Sequence, residues 1–156
     1  MNIILEEYKM EYKREYKALD EGIYNGIIRD ASITKSKSGK EMLVVTLELQ
    51  GDKMLNGAHL GGRIERYYIV LNDKYTASKM FSFLHGAGID VKVGDEINIH
   101  QLIISNVLTG KNVLVKLNKS TYTDKAGNVK ECNKVQYIKR TEQVVDYTIN
   151  DDDIPF

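Results

Sequence analysis

Apolar and polar side chains alternate with a period of two most clearly along two stretches of this chain, residues 42–49 and 112–121. The cleanest stretch is residues 42–49, where Leu43, Val45, Leu47 and Leu49 share one face. Such alternation is typical of a β-strand that turns one face toward a core. The five predicted strands span residues 22–34, 42–49, 63–71, 112–121 and 131–140, with a hairpin tip at residues 124–128 between the last two.

Residues 75–87 have helical periodicity instead. Asn72 and Asp73 offer N-cap chemistry before this segment, and Gly86 and Gly88 supply a stop. The candidate core residues of the helix are Met80, Phe81, Leu84 and Ala87. Residues 91–111 give no clear pattern, because a short alternation at Ile97 and Ile99 is followed by apolar residues at helical spacing.

The predicted order is three strands, one helix and two strands. A five-stranded Greek-key barrel with one helix between its third and fourth strands is the oligonucleotide-binding (OB) fold. We therefore predict an all-β OB-fold domain with one or two helices over residues 21–140. An unrelated α+β sheet with the same strands is the alternative, because residues 91–111 are longer than the OB fold requires.

A helical stripe precedes the first strand, within residues 1–20. Leu5, Tyr8, Tyr12, Tyr16 and Leu19 are spaced by three or four residues, and each tyrosine lies between a glutamate and a lysine. One interpretation is a short helix that docks on the domain or on a second subunit of a homo-oligomer. The other is a ladder of tyrosines that stack on bases.

The formal net charge of zero hides an uneven distribution. The acids Glu142, Asp146, Asp151, Asp152 and Asp153 lie beyond Arg140, so residues 1–140 carry all 22 bases and 17 of the 22 acids, a net of +5. A mildly basic body suits an anionic ligand. Ordinary charge scatter is the alternative for an excess of this size.

Basic and aromatic residues concentrate where an OB fold binds nucleic acid, on its second and third strands and in its first–second and fourth–fifth loops. Lysines can follow a phosphate backbone, while tyrosine rings can stack on bases without sequence preference. The candidate nucleic-acid-binding residues are Lys35, Lys37 and Lys40 in the first loop, Arg63, Arg66, Tyr67 and Tyr68 on the third strand, and Lys116, Lys119, Tyr122, Lys125, Lys130, Tyr137, Lys139 and Arg140 on the last hairpin. Because Tyr67 and Tyr68 are adjacent, one should face the core and the other should face outward.

The sequence contains no arrangement typical of an enzyme. His59, His85 and His100 are far apart, and no Cys-x-x-Cys or His-x-x-x-His motif occurs, so we predict no metal site. No phosphate-binding glycine motif is present, and we predict no catalytic residue and no cofactor. A single cysteine, the lack of a signal-peptide pattern and the lack of a membrane-spanning run indicate a cytoplasmic protein.

The chain ends in an acidic and apolar hexapeptide that follows a linker at residues 141–150. Its residues are Asp151, Asp152, Asp153, Ile154, Pro155 and Phe156. A solubilising tail would explain the aspartates but not the apolar end. Pro155 is the only proline and favours an extended conformation at Ile154, which lowers the ordering cost of binding to a partner.

This hexapeptide resembles the C-terminal tip of bacterial and phage single-stranded DNA-binding proteins. The resemblance implies a protein of the phage or mobile-element type that coats and protects exposed strands. It also implies that residues 151–156 recruit host or phage proteins of replication, recombination and repair. Two alternatives remain: an adaptor that uses the tip on host partners without binding DNA, and a recombination mediator.

Overall fold

The structure, a computed structural model, describes residues 2–4 and 17–141, and this part of the chain is mostly β. Five long strands form one antiparallel sheet, and two short strands pair separately. The elements are β1 (Gly22–Lys35), β2 (Glu41–Leu49), β3 (Met54–Leu55), β4 (Ala58–His59), β5 (Ile64–Val70), α1 (Thr76–Gly86), α2 (Ile99–Ile104), β6 (Asn112–Thr123) and β7 (Val129–Arg140). Most of the predicted N-terminal helix and all of the tip at residues 151–156 lie outside the described residues.

The large sheet has the strand order β5-β2-β1-β6-β7, and every neighbouring pair is antiparallel. The central strand β1 is 14 residues long and pairs with β6 through its first half and with β2 through its second half. A bulge between Ile28 and Asp30 interrupts the pairing with β2, and bulges bend and twist a strand. The edge strands β5 and β7 contact each other, so the sheet curls back on itself.

The core fills the inside of the curled sheet, and the predicted alternation of β2 and β6 is confirmed. The four β2 residues Leu43, Val45, Leu47 and Leu49 are fully buried, as are Val113, Val115 and Leu117 of β6. Burial of one such side chain stabilises the fold by about 1.5–3 kcal/mol. The inward side chains therefore hold the sheet in its curled shape and determine which residues are left on its outer face.

The helix α1 packs against β5 and β7 and contributes Phe83 to the core. The prediction that Phe81 is a core residue is wrong, because Phe83 is buried and Phe81 is half-buried beside the ring of His85. A Cβ atom at Gly86 would clash with the backbone carbonyl oxygen of Ile138, which means that α1 approaches β7 very closely. This contact places the helix next to the seam between the two edge strands.

A bulge in β7 changes the faces of its residues. Strict alternation along residues 131–140 predicts Val135 and Tyr137 on one face, and this is wrong, since Val135 lies opposite Leu117, Tyr137 lies opposite Lys116, and Gln136 is the extra residue. Directly opposed residues in an antiparallel pair share a face. Val135 therefore faces the core with Leu117, while Tyr137 faces outward with Lys116.

The connections also differ from their sequence patterns. Residues 51–62 have the polar, glycine-containing sequence of a loop but contain the short β3–β4 hairpin, and residues 91–111 contain only the helix α2. The alternation at Ile97 and Ile99 does not form a strand, because Ile99 begins α2. No helix within residues 2–4 and 17–141 is both long enough and apolar enough to cross a membrane.

Candidate nucleic-acid interface

The outer side of the β6–β7 hairpin presents lysines and tyrosines without an acidic residue. Five cross-strand pairs form this side: Leu114 with Lys139, Lys116 with Tyr137, Asn118 with Lys134, Ser120 with Cys132, and Tyr122 with Lys130. The Ser120 Oγ atom lies 3.2 Å from the Cys132 Sγ atom, as expected for residues on one face. We call this surface of ten residues the hairpin face.

The two tyrosines of the hairpin face differ in their surroundings. Tyr122 lies near the tip and is 52% exposed. Tyr137 is half-buried, and the Lys139 Nζ atom lies 5.2 Å from the centroid of its ring. Both rings lie among amines on the same strands, which is the arrangement that single-strand binding requires.

A groove of about 630 Å³ opens beside the hairpin face, where the edge strands β5 and β7 meet. We call it the seam groove. Its lining residues are Ile64, Glu65, Arg66, Tyr67 and Tyr68 of β5, Lys79 of α1, and Asn133, Lys134, Val135 and Gln136 of β7. Lys134 belongs to both surfaces and therefore connects the groove with the hairpin face.

The third-strand tyrosines face opposite sides, as predicted. The ring centroid of Tyr67 lies 6.2 Å from that of Phe83 in α1, and burial raises the pKa of the Tyr67 hydroxyl. Tyr68 is 51% exposed and lies opposite Val44, whereas its neighbour on the same face, Arg66, lies opposite Thr46. Tyr68 can therefore offer a ring to a ligand, while Tyr67 supports the wall of the groove from the inside.

Arg63 lies at the start of the predicted third strand, but its side chain is buried and hydrogen-bonded within the domain. It is 6% exposed, and its guanidinium donates hydrogen bonds to Glu65, to Asn133 Oδ1 at 2.7 Å and to the carbonyl oxygens of Lys17 and His59. The Asn133 side chain in turn bonds both the N–H and the carbonyl of Leu19. We call Arg63, Glu65 and Asn133 the buried polar cluster, and we leave Arg63 out of the proposed interface.

Two other candidate cations, Arg140 and Lys119, are bonded to groups of the domain itself. The Arg140 guanidinium donates to the carbonyl oxygens of His85 and Ile89, at and just beyond the C-terminal end of α1. Lys119 lies on the side of β6 opposite the hairpin face, 3.4 Å from Asp20 and 3.8 Å from Glu131. The structure therefore does not bring Lys119 and Arg140 together with the lysines of the hairpin face.

The first-loop lysines are exposed, but they lie at the opposite end of β1 from the β6–β7 hairpin tip. Lys35 ends β1, while Lys37 and Lys40 lie in a turn closed by a 2.7 Å hydrogen bond from the Ser36 N–H to the Lys40 carbonyl. At the other end of β1, Gly22 pairs with Leu117 of β6. From Leu117, β6 continues to the hairpin tip that carries Lys125. The loop and the tip thus lie at opposite ends of β1.

Sequence reasoning left Lys79 and Lys134 out of the candidate set. The alternation that turns Val135 inward could have indicated that Lys134 faces outward. No comparable signal exists for Lys79, because only the packing of α1 against β5 and β7 brings it to the groove. Within the described ranges, no group of three or more His, Cys, Asp or Glu residues could hold a metal ion.

Comparisons with known proteins add a family but no activity. Residues 7–146 match the model of a family described as "Protein of unknown function (DUF669)". Among solved structures, a Plasmodium falciparum SSB in complex with ssDNA aligns with a TM-score of 0.30 and 16% sequence identity, covering 78% of this chain and 89% of that chain. No curated protein matches the sequence. A structural likeness this weak decides nothing about the site, so any assignment depends on the geometry above.

Proposed function

The chain belongs to the DUF669 family of proteins of unknown function, and we propose that it is a single-stranded DNA-binding protein rather than an enzyme. The observation that carries the proposal is the hairpin face, where Lys116, Lys130, Lys134 and Lys139 surround two tyrosines with no carboxylate among the ten residues. Amines neutralise phosphates, and rings stack on bases with about 1–3 kcal/mol per base. Such a surface binds strands with little sequence preference.

We also infer that the curled sheet is an OB-fold barrel. The strand order β5-β2-β1-β6-β7, the contact between its edge strands and the position of α1 between β5 and β6 in the chain all support this inference. An OB fold binds strands on its second and third strands and in its fourth–fifth loop. These regions correspond to β2, to β5, which carries Arg66 and Tyr68, and to the β6–β7 hairpin, which carries the hairpin face.

A fluorescence anisotropy titration with labelled oligo-dT tests the proposal. We expect binding that weakens steeply between about 50 and 200 mM salt, because counterions are released from each neutralised phosphate. Lys116→Ala should reduce the slope of log K against log salt by about 0.7, the value for one contact on a single strand. Lys119→Ala is the matched control, since Lys119 lies on the opposite side of the same strand.

Absence of binding at low salt would overturn the proposal and favour the adaptor alternative. Equal losses in the two lysine variants would mean that the affinity reflects overall charge rather than the hairpin face. Both results are obtained in the same titration, provided that thermal unfolding shows both variants to be folded.

The proposal includes recruitment of replication, recombination or repair proteins through residues 151–156. Its support is the resemblance of this hexapeptide to known tips, together with the pairing of three carboxylates with an apolar segment. A chain truncated after Asn150 should keep its strand affinity and lose partner binding. If the truncated chain captured the same partners as the full chain, the role of the tip would be refuted.

A further inference from the structure

We propose that the seam groove is the site where a single strand inserts an unpaired base between β5 and β7, with Lys79 and Lys134 as phosphate-binding residues. This inference rests on the proposed function and specifies where and in which form the strand is recognised. The inference adds Lys79 of α1 and residues 133–136 of β7 to an interface that otherwise consists of the sheet surface.

The seam groove lies where the sheet ladder is interrupted. In the described part of the chain, β5 pairs with β2 and β7 pairs with β6, but β5 and β7 only contact each other. The extra residue Gln136 lies in this wall of the groove, and bulges next to sites redirect side chains and interrupt pairing. The local backbone therefore leaves a gap of about 630 Å³ between two otherwise regular strands.

Three cations from three different elements line this gap. Arg66 comes from β5, Lys79 from α1 and Lys134 from β7. Within residues 2–4 and 17–141, no carboxylate forms an ion pair with any of the three. Cationic groups that form no ion pair within these residues, held around one groove by separate elements, are suited to neutralise several oxygens of one bent phosphate chain.

The single acid of the groove does not cancel this charge. The Glu65 carboxylate lies 2.8 Å from the Arg63 Nε atom, and its side chain is only 10% exposed. Its charge is therefore directed mainly at Arg63 in the buried polar cluster, and its interaction with Arg66 is weaker. The field that a ligand meets at the mouth of the groove comes mainly from Arg66, Lys79 and Lys134.

The apolar part of the groove suits a base. Tyr68 offers an exposed ring, and Ile64 and Val135 supply aliphatic surface on either wall. A base can stack on such a ring only when it is not already paired and stacked inside a duplex. The groove should therefore add to the preference of the protein for single strands over duplexes.

Salt-dependent titrations of Lys79→Gln and Lys134→Gln test the phosphate contacts. We expect each variant to reduce the salt slope for oligo-dT by about 0.7. Lys74→Gln is the matched control, because Lys74 is an exposed lysine just before α1 whose Nζ atom lies 5.0 Å from the Tyr75 ring centroid, outside the groove. This control should retain the wild-type slope.

Tyr68→Leu and photo-cross-linking test the base contact. The variant should lower the affinity for oligo-dT on the order of tenfold and leave duplex affinity unchanged, because only an unpaired base can stack. Oligo-dT that contains 5-iodouracil should cross-link to Tyr68 in the wild-type protein, and peptide mass spectrometry would identify the residue.

The outcomes separate this inference from the proposed function. If the wild-type protein binds oligo-dT and the Lys134 variant reduces the slope but the Lys79 variant behaves like Lys74→Gln, the groove is not the site and strand binding by the hairpin face, which includes Lys134, stands. A cross-link that maps only to Tyr122 or Tyr137 would also overturn the inference. If the wild-type protein binds no oligonucleotide, both proposals fail.

Discussion

Arg63 and Arg66 lie three residues apart on or next to β5, yet their environments are opposite. Arg63 belongs to the buried polar cluster, where its donors are used by Glu65, Asn133 and two backbone carbonyls. Arg66 lies on the outer face and lines the seam groove, with no ion pair to any carboxylate in the described part of the chain. Residue type alone therefore does not distinguish a cation that stabilises the fold from one that is available to a ligand.

The largest expected effect comes from exchanging the two arginines for methionine. Arg63→Met should lower the free energy of unfolding by about 3–5 kcal/mol, because it leaves Glu65 as a buried charge without this partner. Arg66→Met should change it by less than about 0.5 kcal/mol but weaken oligo-dT binding. Urea denaturation followed by circular dichroism, together with anisotropy titration, measures both. Similar stability losses in the two variants would contradict the comparison.

A second experiment changes the groove through the fold. Gly86→Ala places a methyl group against the Ile138 carbonyl oxygen, so α1 must move away from β7. We expect a loss of about 1–3 kcal/mol in stability, the usual cost of overpacking. Lys79 moves with α1, so strand affinity should fall as well.

Ser82→Ala, an exposed change in the same helix, is the control for Gly86→Ala and should alter neither quantity. If Gly86→Ala lost stability but bound oligo-dT as the wild type does, the position of α1 would be irrelevant to the interface.

The smallest expected effect is a pH dependence of the buried polar cluster. Burial raises the pKa of Glu65 above 4.5, an effect that outweighs the opposing hydrogen bond from Arg63. The folded state therefore holds the Glu65 proton to higher pH than the unfolded state. Its contribution to stability is complete below pH 4.5 and is lost as pH rises through the folded pKa.

Glu65→Gln removes this titration, so the stability of the wild type relative to the variant should fall as pH rises above 4.5. Glu48 is half-buried, and its hydrogen bond from Arg29 lowers its pKa, so Glu48→Gln should give the opposite trend. Urea midpoints measured across this pH range give both trends. A wild-type advantage over Glu65→Gln that grew with pH would contradict the assigned role of burial.

Much of the fold was predictable because its long strands have one face buried in the core and the other in solvent. The alternation at Leu43, Val45, Leu47 and Leu49, and at Val113, Val115 and Leu117, follows from burial on one side and solvent on the other. The predicted mostly β architecture and its antiparallel sheet of five long strands are confirmed. The pattern failed where spacing changed, at the Gln136 bulge and at Phe83, because one extra residue or one helical step moves a side chain to another face.

The candidate interface was predictable only in part. Lys116, Tyr122 and Lys130 lie together on the hairpin face because of the local alternation, whereas Tyr137 and Lys139 join them only through the bulge in β7. Arg63, Arg140 and Lys119 have the same chemistry, but partners distant in sequence occupy them. The contacts of Arg63 with Asn133 and of Arg140 with His85 depend on how the strands and α1 pack, which no local pattern encodes.

The sequence by itself determined the strand pattern, the excess of bases over acids in residues 1–140 and the acidic, apolar hexapeptide at residues 151–156. These properties depend on composition and on neighbours within a few positions. Only the tertiary structure decided which cations remain available and that Arg66, Lys79 and Lys134 surround one groove. The physical reason is that side-chain availability depends on desolvation and on hydrogen-bond partners, and both arise from contacts between residues far apart in the chain.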